Sequence, residues 1–147
     1  MKKVLIVFAV IIALVVIWLF TLPGAYELDR SVTIDAPQEV VFEKVANFKE
    51  WPTWSPWLIM DADATITYGG TMMKVGSGYE WEGELVGAGE MELTALEGMS
   101  RVDYDLRFKT PYESEAKVYF TLEAVNDSVT TATWGMTGKM PFFMRFM

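Results

Sequence analysis

The sequence predicts an α+β protein, in which an N-terminal transmembrane helix is followed by an antiparallel twisted β-sheet with short helices after the first strand. Two observations support this prediction. An apolar run extends from Val4 to Leu22 and is interrupted only by Thr21. Most of the remaining chain alternates between polar and apolar residues in short runs that are separated by turns, which is typical of strands with one buried face.

The apolar run is long enough to cross a membrane. As a helix that rises about 1.5 Å per residue it would reach roughly 28 Å, close to the ~30 Å hydrocarbon core of a bilayer. A cleaved signal peptide is the alternative, but its apolar core usually has only about 7 to 15 residues and ends at a small-x-small site. Lys2 and Lys3 precede the run, and Glu27 and Asp29 follow it. The positive-inside bias therefore predicts a single-pass membrane protein with a cytoplasmic N-terminus.

The end of the run sets the domain boundary. Residues 1–24 are predicted as a cytoplasmic stub and transmembrane anchor. Residues 25–147 are predicted as one extracytoplasmic domain, because about 120 residues can enclose one hydrophobic core but not two. The partner implied by the run from Val4 to Leu22 is a membrane.

The composition excludes several classes of function. The net charge is -8 and the basic residues are not clustered, which argues against binding to nucleic acid or to anionic lipid head groups. The chain has no cysteine and no histidine, so thiol nucleophiles, imidazole bases and their metal sites are absent. We therefore predict no catalytic residue, no metal and no cofactor.

The domain begins with a strand and a short helix. Leu28, Val32 and Ile34 share one face of the strand. Pro37 then suits the first turn of a helix, and Glu39 favours the positive end of the helix dipole. These elements precede the main sheet.

A tryptophan-rich segment follows, from Trp51 to Trp57. Two prolines interrupt it, so we predict no regular element there. We expect the segment to plug one end of the sheet. A lid or a membrane-facing lip is the alternative, because tryptophan favours interfaces.

The rest of the domain is predicted as a meander of strands. In the clearest run, Tyr104 and Phe108 oppose Asp103 and Arg107. Because short turns join consecutive runs, we expect antiparallel pairing with one polar face and one apolar face. The predicted strands are Thr65–Tyr68, Tyr79–Glu84, Gly89–Leu96, Arg101–Phe108, Glu115–Glu123 and Thr131–Thr137.

A sheet with one apolar face needs a cover, and the early helix is too short to provide it alone. The chain ends at Lys139–Met147, which has the pattern of the first turns of an amphipathic helix. We therefore expect that the sequence is truncated and that a long C-terminal helix is missing or incomplete.

Four segments, in this order, resemble a known superfamily. The segments are Tyr26–Ile34 (YELDRSVTI), Ala36–Phe42 (APxxVVF), Trp51–Trp57 (WxxWSPW) and Gly76–Gly83 (GSGYxWxG). They are similar to the polyketide cyclase/dehydrase and lipid-transport branch of the START-like helix-grip (SRPBCC) superfamily, which includes members with one N-terminal membrane anchor. The resemblance covers nearly all of residues 25–147.

The resemblance implies a START-like helix-grip domain, with a sheet wrapped around a long C-terminal helix and a hydrophobic cavity between them. It implies no shared catalytic motif, because the superfamily contains both enzymes and ligand carriers. The inward residues of the predicted strands are aromatic or Met-rich, as expected either for a pocket with an apolar ligand or for a solid core. The predicted ligand-binding residues are Tyr79, Trp81, Met91, Tyr104, Phe108, Phe120, Trp134 and Met136.

Two groups of charged residues are candidates for further sites. Arg30 falls on the apolar face of the first strand and could bind a ligand carboxylate, but we favour a position at the sheet end, with its head group in water. Glu80, Glu82 and Glu84 are interpreted as a solvated face and not as a calcium site. Side chains two residues apart on a strand line up and do not converge.

Three functions remain open. The first is a membrane-tethered module that binds a hydrophobic or lipid-like small molecule. The second is a cyclase/dehydrase-like enzyme, for which Tyr79, Tyr104 and Asp103 are the acid–base candidates, although Asp103 lies on the outward face of its strand. The third is a non-catalytic envelope protein whose sheet contacts a protein partner. The lack of histidine and of a convincing carboxylate pair favours the first over the second.

Overall fold

The structure, a computed structural model, describes residues 2–21 and 24–139 apart from the side chains of Lys2, Leu5 and Leu19. The first turns of the C-terminal helix were predicted at Lys139–Met147. Residues 140–147 of this segment lie outside the described residues. The chain divides into two units. The larger comprises residues 27–138, and the smaller includes the residues that precede Glu27. Each unit is described by itself.

The smaller unit contains the helix α1, Lys2–Thr21. Its described apolar side chains are exposed, among them Val4 and Trp18. The hydroxyl group of Thr21 donates a hydrogen bond of 2.7 Å to the Trp18 carbonyl group in the last turn. Within the described part of the chain, no helix is identified that is long and apolar enough to cross a membrane. The anchor predicted over residues 4–22 stays a prediction.

The larger unit is built on one seven-stranded antiparallel sheet, as the alternation predicts. The strand order is β1-β7-β6-β5-β4-β3-β2, so β2 to β7 form the expected meander and β1 lies beside the last strand. The strands are β1 Ala25–Ile34, β2 Thr65–Gly69, β3 Gly78–Gly83, β4 Gly87–Glu97, β5 Arg101–Thr110, β6 Ser114–Asn126 and β7 Val129–Lys139.

The predicted short helix is α2, Gln38–Ala46. It begins directly after Pro37, and Lys44 in its last turn suits the negative end of the helix dipole. Val41 and Val45 lie one turn apart and are both buried. One face of α2 therefore packs into the core, at the spacing that the sequence shows.

The prediction that Trp51–Trp57 forms no regular element is wrong. A 3₁₀-helix covers Phe48–Thr53 and includes Pro52, and the helix α3 covers Pro56–Met60. Pro56 stands at the first position of α3, where the missing N–H group would have no helical acceptor. Pro52 lies near the end of the 3₁₀-helix, so no long run of helical hydrogen bonds is interrupted. Two short helices accommodate prolines that one long helix would not.

The outer face of the sheet carries charged side chains from neighbouring strands. Glu90 on β4 lies 2.7 Å from the Lys109 amino group and 2.8 Å from the Arg107 guanidinium group on β5. Hydrogen bonds from Lys109 and then Arg107 lower the pKa of Glu90 below its usual value. Glu82 is exposed on this side, and Glu84 is exposed in the turn after β3. Within the described ranges no group of acidic residues is identified that could hold a metal ion.

Replacing Glu90 by glutamine is expected to lower the melting temperature at neutral pH. A carboxylate whose pKa is depressed in the folded state stabilises the protein above its unfolded pKa, here 4.5, and this stabilisation disappears as the pH falls through the folded pKa. The difference between wild type and Glu90→Gln should therefore shrink below about pH 4.5. Thermal unfolding of both proteins across this range, with the exposed Glu92→Gln as control, measures it. If Glu90→Gln and Glu92→Gln changed the melting temperature equally at every pH, the prediction would be contradicted.

Candidate functional site

The inner face of the sheet is defined here as the face that carries the buried side chains of β3 to β7. The strand register sets its rows: Tyr79 lies opposite Met91, and Phe120 lies opposite Trp134. All eight predicted ligand-binding residues have this orientation. Tyr79, Trp81, Met91, Tyr104 and Phe120 are buried, and Phe108, Trp134 and Met136 are half-buried against the same core.

An aromatic cluster forms where the 3₁₀-helix packs on the inner face. The Phe48 ring lies 5.1 Å from the Tyr79 ring and 5.6 Å from the Tyr104 ring, measured between centroids. Trp51 contacts Phe120 edge-on at 6.3 Å. Sequence reasoning did not include Phe48 in the site. Its contacts join segments far apart in the chain, and only its helical spacing from Val45 indicated a buried position.

One carbonyl group fixes this cluster to α2. The Val45 oxygen accepts hydrogen bonds from Trp51 Nε1, at 2.8 Å, and from the Tyr104 hydroxyl group, at 2.7 Å. Val45 lies in the last turn of α2, where backbone carbonyl groups lack helical partners. The polar atoms of both rings are therefore satisfied while the rings stay buried.

The acid–base candidates are poorly suited to that chemistry. Burial raises the pKa of Tyr104 well above its usual value. Burial, and then the charge of Tyr68, raise the pKa of Tyr79. Both phenols therefore stay protonated at neutral pH. Asp103 lies outside this face and accepts hydrogen bonds from Arg101 at 2.7 and 2.9 Å.

Small residues shape the inner face beside its large ones. Gly89 lies opposite Trp81 in the register, and a Cβ atom at Gly89 would overlap the Trp81 ring. The ring therefore lies directly across the β4 backbone. Ala116 on β6 and Gly138 on β7 are also paired. Because both residues are small, the side chains in this part of the inner face project less far from the sheet than those of the aromatic cluster.

Of the two other candidate groups, Arg30 is not brought to the aromatic cluster, and the tryptophan segment contributes Trp51 to it. Arg30 is exposed and donates a hydrogen bond of 2.6 Å to the backbone oxygen of Asp29. In the tryptophan segment, Trp51 is buried, whereas Trp57 is 67% exposed. The segment therefore presents different tryptophans to the core and to the surface.

Sequence reasoning missed Ser77, which is fully buried on the inner face. Its backbone oxygen accepts a hydrogen bond of 2.8 Å from the N–H group of Leu93, a buried residue of the same core. The available signal was the alternation of Tyr79 and Trp81, which continues back to Ser77. The prediction began its strand at Tyr79 and so omitted it.

The outer face carries an open cavity of about 280 Å³ over β2, β3 and β4. Gly69 and Gly78 are paired in the register, and the lack of side chains at both positions makes this depression. Its rim includes Glu80, Glu90 and Glu92. The acidic rim makes it a poor site for an apolar molecule.

Comparison with protein-family models finds no match, and comparison with curated proteins finds none either. Solved structures do match. A solution NMR structure of a protein from Thermobifida fusca has a TM-score of 0.62 at 17% identity, over 78% of this chain and 74% of that one. Ara h 8.0201 has a TM-score of 0.59 at 14% identity, over 80% and 78%.

A third similar structure is an HSP90 activator from Plasmodium falciparum, with a TM-score of 0.56 at 13% identity over 78% of this chain and 74% of that one. These similarities show that the chain has a helix-grip fold. At such low identity they show the fold alone. A shared fold does not imply a shared function, so function must be argued from the side chains of this chain.

Proposed function

We propose that this protein is a membrane-tethered module that binds a hydrophobic or lipid-like small molecule on the inner face of its sheet. The observation that carries the proposal is the half-buried apolar surface of Phe108, Trp134 and Met136, beside the buried aromatic cluster. Helix-grip folds often bind hydrophobic ligands, and aromatic and methionine side chains suit such molecules. The resemblance to the lipid-transport branch supports the same ligand class.

The tether in this proposal is the apolar run from Val4 to Leu22. Its 19 residues would reach roughly 28 Å as a helix that rises about 1.5 Å per residue. Lys2 and Lys3 favour a cytoplasmic N-terminus and an extracytoplasmic domain. Tethering would raise the concentration of the domain near apolar ligands.

A protein-interaction role is the second candidate, because one surface exposes large apolar side chains. Met60 on α3 and Leu85 in the β3–β4 turn are 53% and 69% exposed. Asp61 joins the two elements, since its carboxylate accepts hydrogen bonds from the N–H groups of Leu85 and Val86 at 2.8 and 3.2 Å. The enzyme alternative has less support, because Tyr79 and Tyr104 remain protonated at neutral pH.

The test is mass spectrometry of the small molecules that the full chain retains after extraction of membranes into copolymer discs. We expect one apolar compound to be enriched over bulk membrane lipid, to be lost in Trp134→Ala and to be kept in Trp57→Ala. The two variants make the same change at a half-buried inner position and at an exposed position. A chemically altered compound would favour the enzyme.

If a folded protein retains nothing, and apolar ligands leave its melting temperature unchanged, the binding proposal fails. The surface of Met60 and Leu85 would then be examined for a protein partner.

A further inference from the structure

Ser77 has an unusual environment for a hydroxyl group. The residue is fully buried, and its Oγ atom has no hydrogen-bond partner among the described residues. Its backbone, by contrast, is satisfied: its N–H group donates to the Lys74 oxygen at 2.9 Å, and its oxygen accepts from Leu93. Unpaired buried polar groups are rare in native proteins because they are costly. We therefore expect the Ser77 hydroxyl group to have a hydrogen-bond partner that is not one of the described residues.

Tyr79 provides a second hydroxyl group on this side of the sheet. It follows Ser77 by two residues on the same face, and within the described ranges its hydroxyl group makes no hydrogen bond. Tyr68 is paired opposite Tyr79, with ring centroids 6.4 Å apart, and its hydroxyl group is likewise unpaired within those ranges. The buried Tyr104 differs, because its hydroxyl group bonds to Val45. Tyr79 and Tyr68 thus bring two further hydroxyl groups to the β2–β3 side of the inner face, on the same side as the unpaired Ser77 Oγ atom.

Charge on the inner face limits what these hydroxyl groups can bind. On β2 to β7 the inner positions carry no charged side chain. Arg30 on β1 is exposed and donates to the Asp29 oxygen. The pKa values of Tyr68 and Tyr79 are raised, so both stay neutral donors at neutral pH. A carboxylate or phosphate would lose its hydration here without gaining a cation.

We propose that the inner face binds an amphipathic ligand whose polar end is a neutral hydroxyl or carbonyl group, held by Ser77 and Tyr79 with Tyr68 beside them. This inference rests on the proposed function and specifies its ligand. Serine and tyrosine hydroxyl groups both donate and accept hydrogen bonds, so they satisfy either neutral oxygen. The apolar part of the ligand would lie over the half-buried surface of Phe108 and Met136.

The experiment compares three probes of one shape: 2-naphthol, naphthalene and 2-naphthoate. Equilibrium dialysis at neutral pH measures their binding to the full chain in phosphatidylcholine nanodiscs, and empty nanodiscs give the background. We expect 2-naphthol to bind most tightly and 2-naphthoate most weakly. Tyr79→Phe should lower the preference for 2-naphthol over naphthalene by about 5-fold, as expected for one lost hydrogen bond, and Ser77→Ala should also lower it.

Tyr119→Phe is the matched control, because Tyr119 lies on the outer face beneath Arg101. It should leave the preference unchanged. If Tyr79→Phe does not fold, as judged by its melting curve, Ser77→Ala decides alone. If Ser77→Ala changes stability but not the preference, water is the partner of this hydroxyl group and the inference is overturned.

The remaining outcomes separate this inference from the proposed function. Equal binding of the three probes, or a preference for 2-naphthoate, would overturn the neutral polar end but leave the hydrophobic site in place. If none of the probes binds above the empty nanodiscs, the proposed function fails together with this inference.

Discussion

Replacing Phe48 by alanine is expected to lower the free energy of unfolding by about 3–5 kcal/mol, the range for deleting a buried phenylalanine ring. Phe48 is 0% exposed, and its ring contacts those of Trp51, Tyr79 and Tyr104. A cavity left among these three rings cannot close easily, because each neighbour is held by its own contacts. Urea unfolding of the full chain, followed by tryptophan fluorescence, measures the change.

The matched control is Trp57→Ala, which deletes a larger ring from α3, the helix that follows the 3₁₀-helix of Phe48. Trp57 is 67% exposed, so its replacement should change stability by no more than about 0.5 kcal/mol. Similar losses in both variants would mean that the aromatic cluster is not the stabilising core of the domain.

Replacing Gly89 by alanine is expected to cost about 3 kcal/mol, at the upper end for overpacking. A Cβ atom there would overlap the Trp81 ring and lie 2.6 Å from the backbone oxygen of Arg107. Arg107 belongs to the neighbouring strand, so relief would require the β4–β5 pairing to shift. The denaturation midpoint and the near-ultraviolet circular dichroism of Trp81 report the effect.

Gly69→Ala makes the same substitution on β2, where a Cβ atom would meet nothing within 4 Å. It should be neutral, or stabilising by up to about 1 kcal/mol, because alanine restricts the unfolded chain. A loss of stability at Gly69 equal to that at Gly89 would show that both glycines are needed for strand flexibility and not for close packing.

The sequence predicted most of the fold because strand alternation is a local signal. The runs around Tyr104 and Phe120 show it directly, and the structure has strands there. The tryptophan segment was mispredicted because Pro52 and Pro56 exclude a long helix but not two short ones. Proline is incompatible with the interior of a long helix, but it is accepted at the first position of a short one.

The candidate site was predictable in part. Alternation assigned the eight inward residues to one face, since facing depends only on position along a strand. It could not show that Phe48 packs against Tyr79 and Tyr104, because those contacts depend on how α2 and the 3₁₀-helix dock. Nor could it show that Ser77 lacks a partner, since this depends on every group around the hydroxyl.

The carbonyl group of Val45 has a consequence for how the domain opens. It is shared by the indole of Trp51 and the phenol of Tyr104, and Tyr104 lies 59 positions further along the chain. The last turn of α2 cannot fray without releasing both donors at once. Local fluctuation of the helix is thereby coupled to the central strand β5, and the amide protons of the two elements should exchange with solvent as one cooperative unit.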